Sequence, residues 1–169
     1  AYFQRGIIYR QLNKKDKAES DLEKAEKLGL DEANAYFSLG HHYFKKHDYQ
    51  RAIETFSQGI KTNPDFGHLY CWRGIVYALN KEYELALEDF TRDIKLNPKS
   101  SYTYLNRSEV YFLMENFDDA FNDAKAALPF SQELKYREIL TEALENLKSE
   151  NLDKAKSKLK EYFEKSNSV

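Results

Sequence analysis

The sequence predicts an all-α protein that consists of stacked helical hairpins. Three observations carry this prediction: a 34-residue repeat of small residues, a matching repeat of alanines and a matching repeat of tyrosines. The small residues that share the repeat are Gly6, Gly40, Gly74 and Ser108. The alanines that share it are Ala18, Ala52, Ala86 and Ala120.

The tyrosines follow the same step in two registers. One register holds Tyr2, Tyr36, Tyr70 and Tyr104, and the other holds Tyr9, Tyr43, Tyr77 and Tyr111. Agreement of several registers over four copies indicates a structural repeat. A single hairpin cannot bury its own apolar face, so stacked neighbours must share a continuous core. The chain is therefore expected to form an α-solenoid of helix-turn-helix hairpins.

The clearest copy of the repeat is residues 33–66. Gly40 on its first helix and Ala52 on its second are small enough for the two helices to approach closely. Three aromatic residues fill the space around this contact: Tyr36, Tyr43 and Phe56. The polar run at residues 45–48 predicts the turn, and Pro64 follows the end of the second helix.

This copy resembles the tetratricopeptide repeat (TPR) signature. The residues that carry the resemblance are Tyr36, Leu39, Gly40, Tyr43, Ala52, Phe56 and Pro64, in the order and spacing of the family's 34-residue unit. The resemblance extends over roughly residues 1–134. It implies a right-handed superhelix of stacked hairpins that binds other proteins in its concave groove.

The repeats are predicted at residues 1–32, 33–66, 67–100 and 101–134. The first begins inside the register of the repeat, so we expect the chain to be a fragment of a longer protein. The fourth is divergent, and the register breaks after Pro129, because Ala155 lies 35 rather than 34 residues after Ala120. Residues 135–165 are predicted to form a degenerate capping hairpin with a polar outer face. Residues 166–169 are expected to be a frayed tail.

Composition narrows the function classes. The chain of 169 residues is 41% hydrophobic and 15% aromatic, which is not the profile of a disordered protein. Its net charge is −2 with interspersed signs, so nucleic-acid binding is not expected. Cys71 is the single cysteine, which excludes an internal disulfide and fits a reducing, cytoplasmic location. No apolar run approaches the ~18 residues of a membrane span.

Arginine and aspartate share fixed positions in the repeat and are absent together from the second copy. In each of the other three copies we expect a largely buried ion pair within the hairpin: Arg5–Asp21, Arg73–Asp89 and Arg107–Asp123. A row of ligand-binding arginines is the alternative interpretation. Asp93 lies one turn after Asp89, so both carboxylates could share Arg107.

No residue pattern points to catalysis, and no metal or cofactor is expected. His41 and His42 point about 100° apart on a helix, so they cannot face one ion. The sequence contains no phosphate-binding loop, no pair of catalytic carboxylates and no Ser-His-Asp arrangement. The chain is therefore predicted not to be an enzyme.

The inner face of the first helices carries the functional prediction, because it is aromatic and aliphatic. The predicted partner-binding residues are Phe37, His41, Phe44, Trp72, Ile75, Tyr102, Asn106 and Phe112. A helix that is apolar on two faces is normally covered, here by a bound segment, the rest of the parent protein or another copy. The basic clamp of chaperone-binding TPR proteins is missing, since its positions hold Phe3, Ile7, Ser38, His68 and Trp72.

These observations predict a protein-interaction scaffold that binds a peptide or a helix of a partner protein. Two alternatives stay open at this point. The chain could be a substrate-positioning region of a larger enzyme, or a module for self-association into a homo-oligomer.

Overall fold

The computed structural model describes residues 2–27, 31–131, 134–148 and 151–166. Within these ranges the chain forms α-helices, one short 3-10 helix at Leu128–Phe130, and no strand, so the predicted all-α class of stacked hairpins is confirmed. The helices are α1 (Tyr2–Gln11), α2 (Lys15–Lys27), α3 (Glu32–Lys45), α4 (Tyr49–Thr62), α5 (Gly67–Leu79), α6 (Tyr83–Leu96), α7 (Ser101–Leu113), α8 (Phe117–Ala127), α9 (Leu134–Lys148) and α10 (Leu152–Ser166).

The helices belong to two compact units, residues 1–81 and residues 82–169. In the first unit α1 pairs with α2 and α3 pairs with α4, while α5 packs on both α3 and α4. In the second unit α7 pairs with α8 and α9 with α10, and α6 packs on α7. The finer division into four repeats and a capping hairpin remains a prediction.

Small residues allow close packing in the first unit. A Cβ atom added at Gly40 would fall on the ring of Phe56. A Cβ atom added at Gly59 would lie 2.7 Å from the Cβ of Tyr36 and 2.8 Å from the Cδ1 of Leu69. Tyr36, Phe56 and Leu69 are in turn almost completely buried. The close approach predicted for the second repeat is therefore present.

In the second unit, Ser108 stands at the position of the repeat that glycine holds in the first unit. Ser108 is completely buried, and its hydroxyl donates a hydrogen bond of 2.6 Å to the carbonyl oxygen of Ala120 on the facing helix. The buried hydroxyl of Ser108 therefore has a hydrogen-bond partner, as a buried polar group requires. Around it, α8, α9 and α10 share a core that includes Ala120, Ala124, Leu140, Ala155 and Leu159.

The ion pairs differ in burial, although they occupy the same position in the repeat. Arg5 binds both carboxylate oxygens of Asp21, at 2.6 and 2.9 Å, and this hydrogen bonding lowers the pKa of the Asp21 carboxyl. The Arg5 side chain is nevertheless 56% exposed, so the prediction of a largely buried pair is wrong there. Arg107 binds Asp123 at 2.6 and 2.7 Å and is only 16% exposed.

The two remaining expectations are the pairing of Arg73 with Asp89 and the sharing of Arg107 by Asp89 and Asp93. Arg73 lies in the first unit, where it donates a hydrogen bond of 2.9 Å to Ser57, and its pairing with Asp89 of the second unit remains a prediction. Asp93 accepts hydrogen bonds from Thr103 and from Asn97. Arg107 uses its remaining guanidinium nitrogen to contact Thr91, at 2.8 Å.

Among the described residues, four hairpin turns contain a residue in the left-handed conformation at the same position of the repeat. These residues are Asn13, His47, Lys81 and Glu115, with φ between 56° and 64°. Glycine adopts this conformation without steric cost, asparagine tolerates it, and other side chains are strained there.

Glycine at these turns should therefore stabilise the protein. We expect Lys81→Gly and Glu115→Gly each to raise the free energy of unfolding by roughly 0.5–1 kcal/mol, because the strained side chain is removed. Asn13→Gly is the matched control and should change stability less. Urea unfolding followed by circular dichroism measures all three, and a destabilised Glu115→Gly variant would contradict the assignment of strain.

The second prediction concerns the buried ion pair. Arg107→Ala should lower the free energy of unfolding by roughly 3–5 kcal/mol, because the carboxylate of Asp123 stays buried without the guanidinium. Arg5→Ala, at the equivalent but exposed pair, should cost clearly less. Equal losses in parallel urea titrations would show that burial does not set the strength of these pairs.

Candidate functional site

The predicted binding residues lie on three first helices. Those of the first unit are Phe37, His41 and Phe44 on α3, and Trp72 and Ile75 on α5. Those of the second unit are Tyr102, Asn106 and Phe112 on α7. The two groups are described separately.

Three rings form a row along α3. Phe37, His41 and Phe44 are spaced by four and three residues, which places them on one face of a helix. The ring centroids of Phe37 and His41 are 6.0 Å apart with an interplanar angle of 7°. Those of His41 and Phe44 are 6.1 Å apart at 19°. The row is therefore a nearly parallel stack.

Trp72 of α5 lies across this row. Its ring centroid is 4.5 Å from His41, 5.2 Å from Phe44 and 6.1 Å from Phe37. The interplanar angles are between 77° and 86°, which is the edge-to-face geometry that aromatic pairs prefer. We call these four residues the aromatic cluster. All four are partly buried, and the structure thus brings together four of the five predicted residues of this unit.

The fifth residue, Ile75, lies three residues after Trp72 on α5 and is partly buried. On α1, Phe3 and Ile7 stand one repeat before Phe37 and His41. Both belong to the core, since Phe3 is 8% exposed and Ile7 is completely buried. The face is thus less open toward α1 than the sequence pattern suggests.

Two aromatic residues that the sequence analysis did not select extend the cluster. The ring of Phe66 lies 6.5 Å from Phe37, and the ring of Tyr49 lies 6.1 Å from Phe44. Phe66 is the N-cap residue of α5 and makes no side-chain capping hydrogen bond. An aromatic residue is unusual at a position that favours Ser, Thr, Asp or Asn, and that signal could have identified it.

His41 is held in its neutral form by its surroundings. Burial is the main cause that lowers the pKa of the His41 imidazole. The positive charge of Lys45, one turn further along α3, makes a smaller contribution in the same direction. At neutral pH the ring therefore adds an uncharged aromatic surface to the cluster.

The residues of the second unit have other contacts. Tyr102 is 51% exposed, and its carbonyl oxygen accepts a hydrogen bond of 2.7 Å from the side-chain amide of Asn106. Phe112 is partly buried, with its ring 5.5 Å from Phe117 of α8 and 5.8 Å from Phe163 of α10. Phe112 is thus in contact with the C-terminal helix of its own unit.

Other kinds of site find no support in the part of the chain that the structure describes. No three His, Cys, Asp or Glu side chains there are grouped so that they could hold a metal ion. No helix in the same ranges has the length and apolar character needed to cross a membrane. Cys71 is buried and forms no disulfide.

Comparisons with known proteins agree on one family. Residues 33–66 match one model described as a tetratricopeptide repeat, and residues 1–28 match a second model with the same description. No curated protein sequence is similar enough to count as a relative.

Solved structures give the same result. The second TPR of Spaghetti (RPAP3), bound to the HSP90 peptide SRMEEVD, is 26% identical, covers 59% of this chain and 92% of its own, and has a TM-score of 0.57. MamA is 20% identical over 97% of both chains, with a TM-score of 0.64. The TPR2B domain of yeast Sti1, in complex with an Hsp70 peptide, is 19% identical over 76% of this chain and 96% of its own, with a TM-score of 0.59. The last two show a shared fold.

The state of His41 can be tested by nuclear magnetic resonance. Its pKa should lie below the ordinary value of about 6.5, and Lys45→Ala should raise it only in part, because burial is the larger cause. Lys46→Ala is the matched control. Since the unfolded chain takes up this proton at higher pH than the folded one, the contribution of His41 to stability should be lost as pH falls below about 6.5. A pKa above the ordinary value would contradict this description of the cluster.

Proposed function

Because this chain belongs to the tetratricopeptide repeat family, we propose that it is a protein-interaction scaffold that binds a peptide or helix of a partner on its aromatic cluster. One observation carries the proposal: four aromatic rings on the first helices α3 and α5 are packed together and only partly buried. The partner is a protein segment, and no catalytic step is assigned to the chain.

The geometry of the cluster favours binding because its rings are already ordered. Trp72 contacts all three rings of the α3 row, so each ring restricts the others before a partner arrives. Less side-chain entropy is then lost on association. Aromatic anchors of this kind typically contribute ~2 kcal/mol or more each to an interface.

The chemistry of the cluster indicates the type of partner. It consists of two phenyl rings, an indole and a neutral imidazole, and it contains no carboxylate and no arginine. An apolar or mixed segment fits such a surface. The acidic peptide bound by the Spaghetti domain fits poorly, because the positions of the family's basic clamp hold Phe3, Ile7, Ser38, His68 and Trp72.

A library of displayed random peptides provides a defined probe for this proposal. The selected peptide should bind the parent chain at roughly micromolar Kd, which the emission of Trp72, the single tryptophan, can report directly. Phe44→Ala should weaken that binding by about thirtyfold, and Trp72→Ala should do the same when binding is measured by calorimetry. The Kd should change little between low and high salt, because the contact is apolar.

Met114→Ala, an exposed apolar change in the other unit, is the matched control and should bind like the parent. Circular dichroism must show that each variant is folded. Parental affinity in folded Phe44→Ala and Trp72→Ala chains would rule out the aromatic cluster as the binding surface.

A further inference from the structure

The aromatic cluster is the middle of a longer run of rings along α3. At the start of α4, just past the C-terminal end of α3, the ring of Tyr49 lies 6.1 Å from that of Phe44. At the start of α5, the rings of Phe66 and His68 lie 6.5 and 6.2 Å from that of Phe37. We call the aromatic cluster together with Tyr49, Phe66 and His68 the aromatic belt. It accompanies α3, whose 14 residues span about 21 Å.

The two ends of α3 carry opposite charges that have no ionic partner among the described residues. Lys45, the last residue of α3, is exposed and forms no ion pair there. Its charge reaches the belt, because it contributes to the lowered pKa of His41. Asp31, the N-cap residue, is exposed, and its carboxylate accepts hydrogen bonds from the amide groups of Ala33 and Asn34 rather than from a cation.

Neighbouring charged groups at these two ends are paired instead. Glu32 lies 3.8 Å from Arg10 of α1, and the carboxylate of Asp48 binds the guanidinium of Arg51. These pairs leave little net charge of their own. The belt is therefore flanked by one uncompensated cation at one end and one uncompensated carboxylate at the other.

The surface of the belt favours a helical partner over an extended one. Phenyl rings offer no hydrogen bonds to a peptide backbone, so an extended segment pressed onto Phe37 and Phe44 would lose water from its amide groups without replacement. A helix satisfies these groups internally, and its side chains recur at every turn of about 5.4 Å. This repeat is close to the spacing of the α3 rings, which is 6.0 Å from Phe37 to His41 and 6.1 Å from His41 to Phe44.

Charges and helix dipoles agree on the direction of such a partner. The C-terminal end of a helix carries partial negative charge and the N-terminal end partial positive charge, so a partner antiparallel to α3 is favoured. Carboxylates are stabilising in the first turn of a helix and cations in the last. An antiparallel helix with this common distribution brings its carboxylates to Lys45 and its cations to Asp31.

We propose that the partner segment is an amphipathic helix of roughly three to four turns that lies antiparallel along α3, with carboxylates in its first turn, an apolar stripe on the aromatic belt and basic residues in its last turn. The inference rests on the proposed function, because it specifies the partner of the same cluster. Exposed ion pairs contribute little affinity, so the apolar stripe holds the helix and the charges set its direction.

A peptide selected on the parent chain from a library of displayed peptides is the probe. It is synthesised together with an exchanged version, in which the charged residues of its first and last turns are swapped. Calorimetry should show that the parent chain binds the selected peptide about tenfold more tightly than the exchanged one, because both ends then meet a like charge.

Variants of the chain assign this preference to the two charges. Lys45→Glu should remove most of it, and Asp31→Asn should remove part of it while the N-cap of α3 is kept. Lys46→Glu is the matched control, because it makes the same charge change about 100° further around the helix, and it should keep the parental preference. The helicity of each free peptide is the same in every titration, so a changed ratio comes from the chain.

The direction is measured separately by nuclear magnetic resonance. A nitroxide label at the N-terminus of the selected peptide should broaden the backbone amide signals around Lys45 more strongly than those around Asn34. A label at the C-terminus of the peptide should give the opposite pattern.

The inference is overturned if the exchange of charges makes no difference, if Lys45→Glu keeps the parental preference, or if the labels report the opposite direction. A peptide that is extended when bound overturns it as well. Each of these results leaves the proposed function intact, provided that Phe44→Ala weakens binding. Selected peptides that bind a folded Phe44→Ala chain at parental affinity would reject the proposed function and this inference together.

Discussion

The first unit depends on one close contact, in which Gly59 of α4 lies between Tyr36 of α3 and Leu69 of α5. Any side chain at that position would force α3 and α5 away from α4, since atoms of Tyr36 and Leu69 lie within 2.8 Å of the place that its Cβ would take. Because α3 and α5 carry the aromatic cluster, the missing side chain also sets the distance at which Trp72 meets its row of rings. A glycine on the second helix therefore fixes a surface on the first helices.

The aromatic cluster belongs both to the core and to the surface. Phe37, Phe44 and Trp72 pack against the buried residues of the first unit while part of each ring remains accessible. A surface of this kind is rigid without being closed, because dense packing on one side restricts the rotamers on the other. Binding and stability are then coupled, since the same rings contribute to both.

The sequence was sufficient for the stacked helical hairpins, because these follow directly from the repeat period. It selected Phe37 and Trp72 for one inner face but did not predict that their rings are in contact. It was insufficient where a contact depends on elements outside that period. Arg5 and Arg107 share one position in the repeat, yet only Arg107 is shielded, in part by its contact with Thr91 of the preceding helix. The contact of Phe163 was equally unpredictable, because it comes from beyond Pro129, where the register is lost.

The buried carboxylate of Asp93 has a consequence for how the chain avoids misassembly. Asp93 and Thr103 stand one repeat after Gly59 and Leu69, so each pair marks the contact between a second helix and the next first helix. The contact between α4 and α5 is apolar, because Gly59 packs on Leu69. The contact between α6 and α7 is polar, because Asp93, which is 2% exposed, accepts a hydrogen bond from the completely buried Thr103. Repeated modules of similar structure risk stacking in the wrong order while they fold. In a module displaced by one step, Asp93 would face leucine instead of Thr103 and would lose the hydrogen bond that the Thr103 hydroxyl donates, which disfavours the displaced arrangement. The difference between the apolar and the polar contact thus favours the correct order of the hairpins over a displaced one.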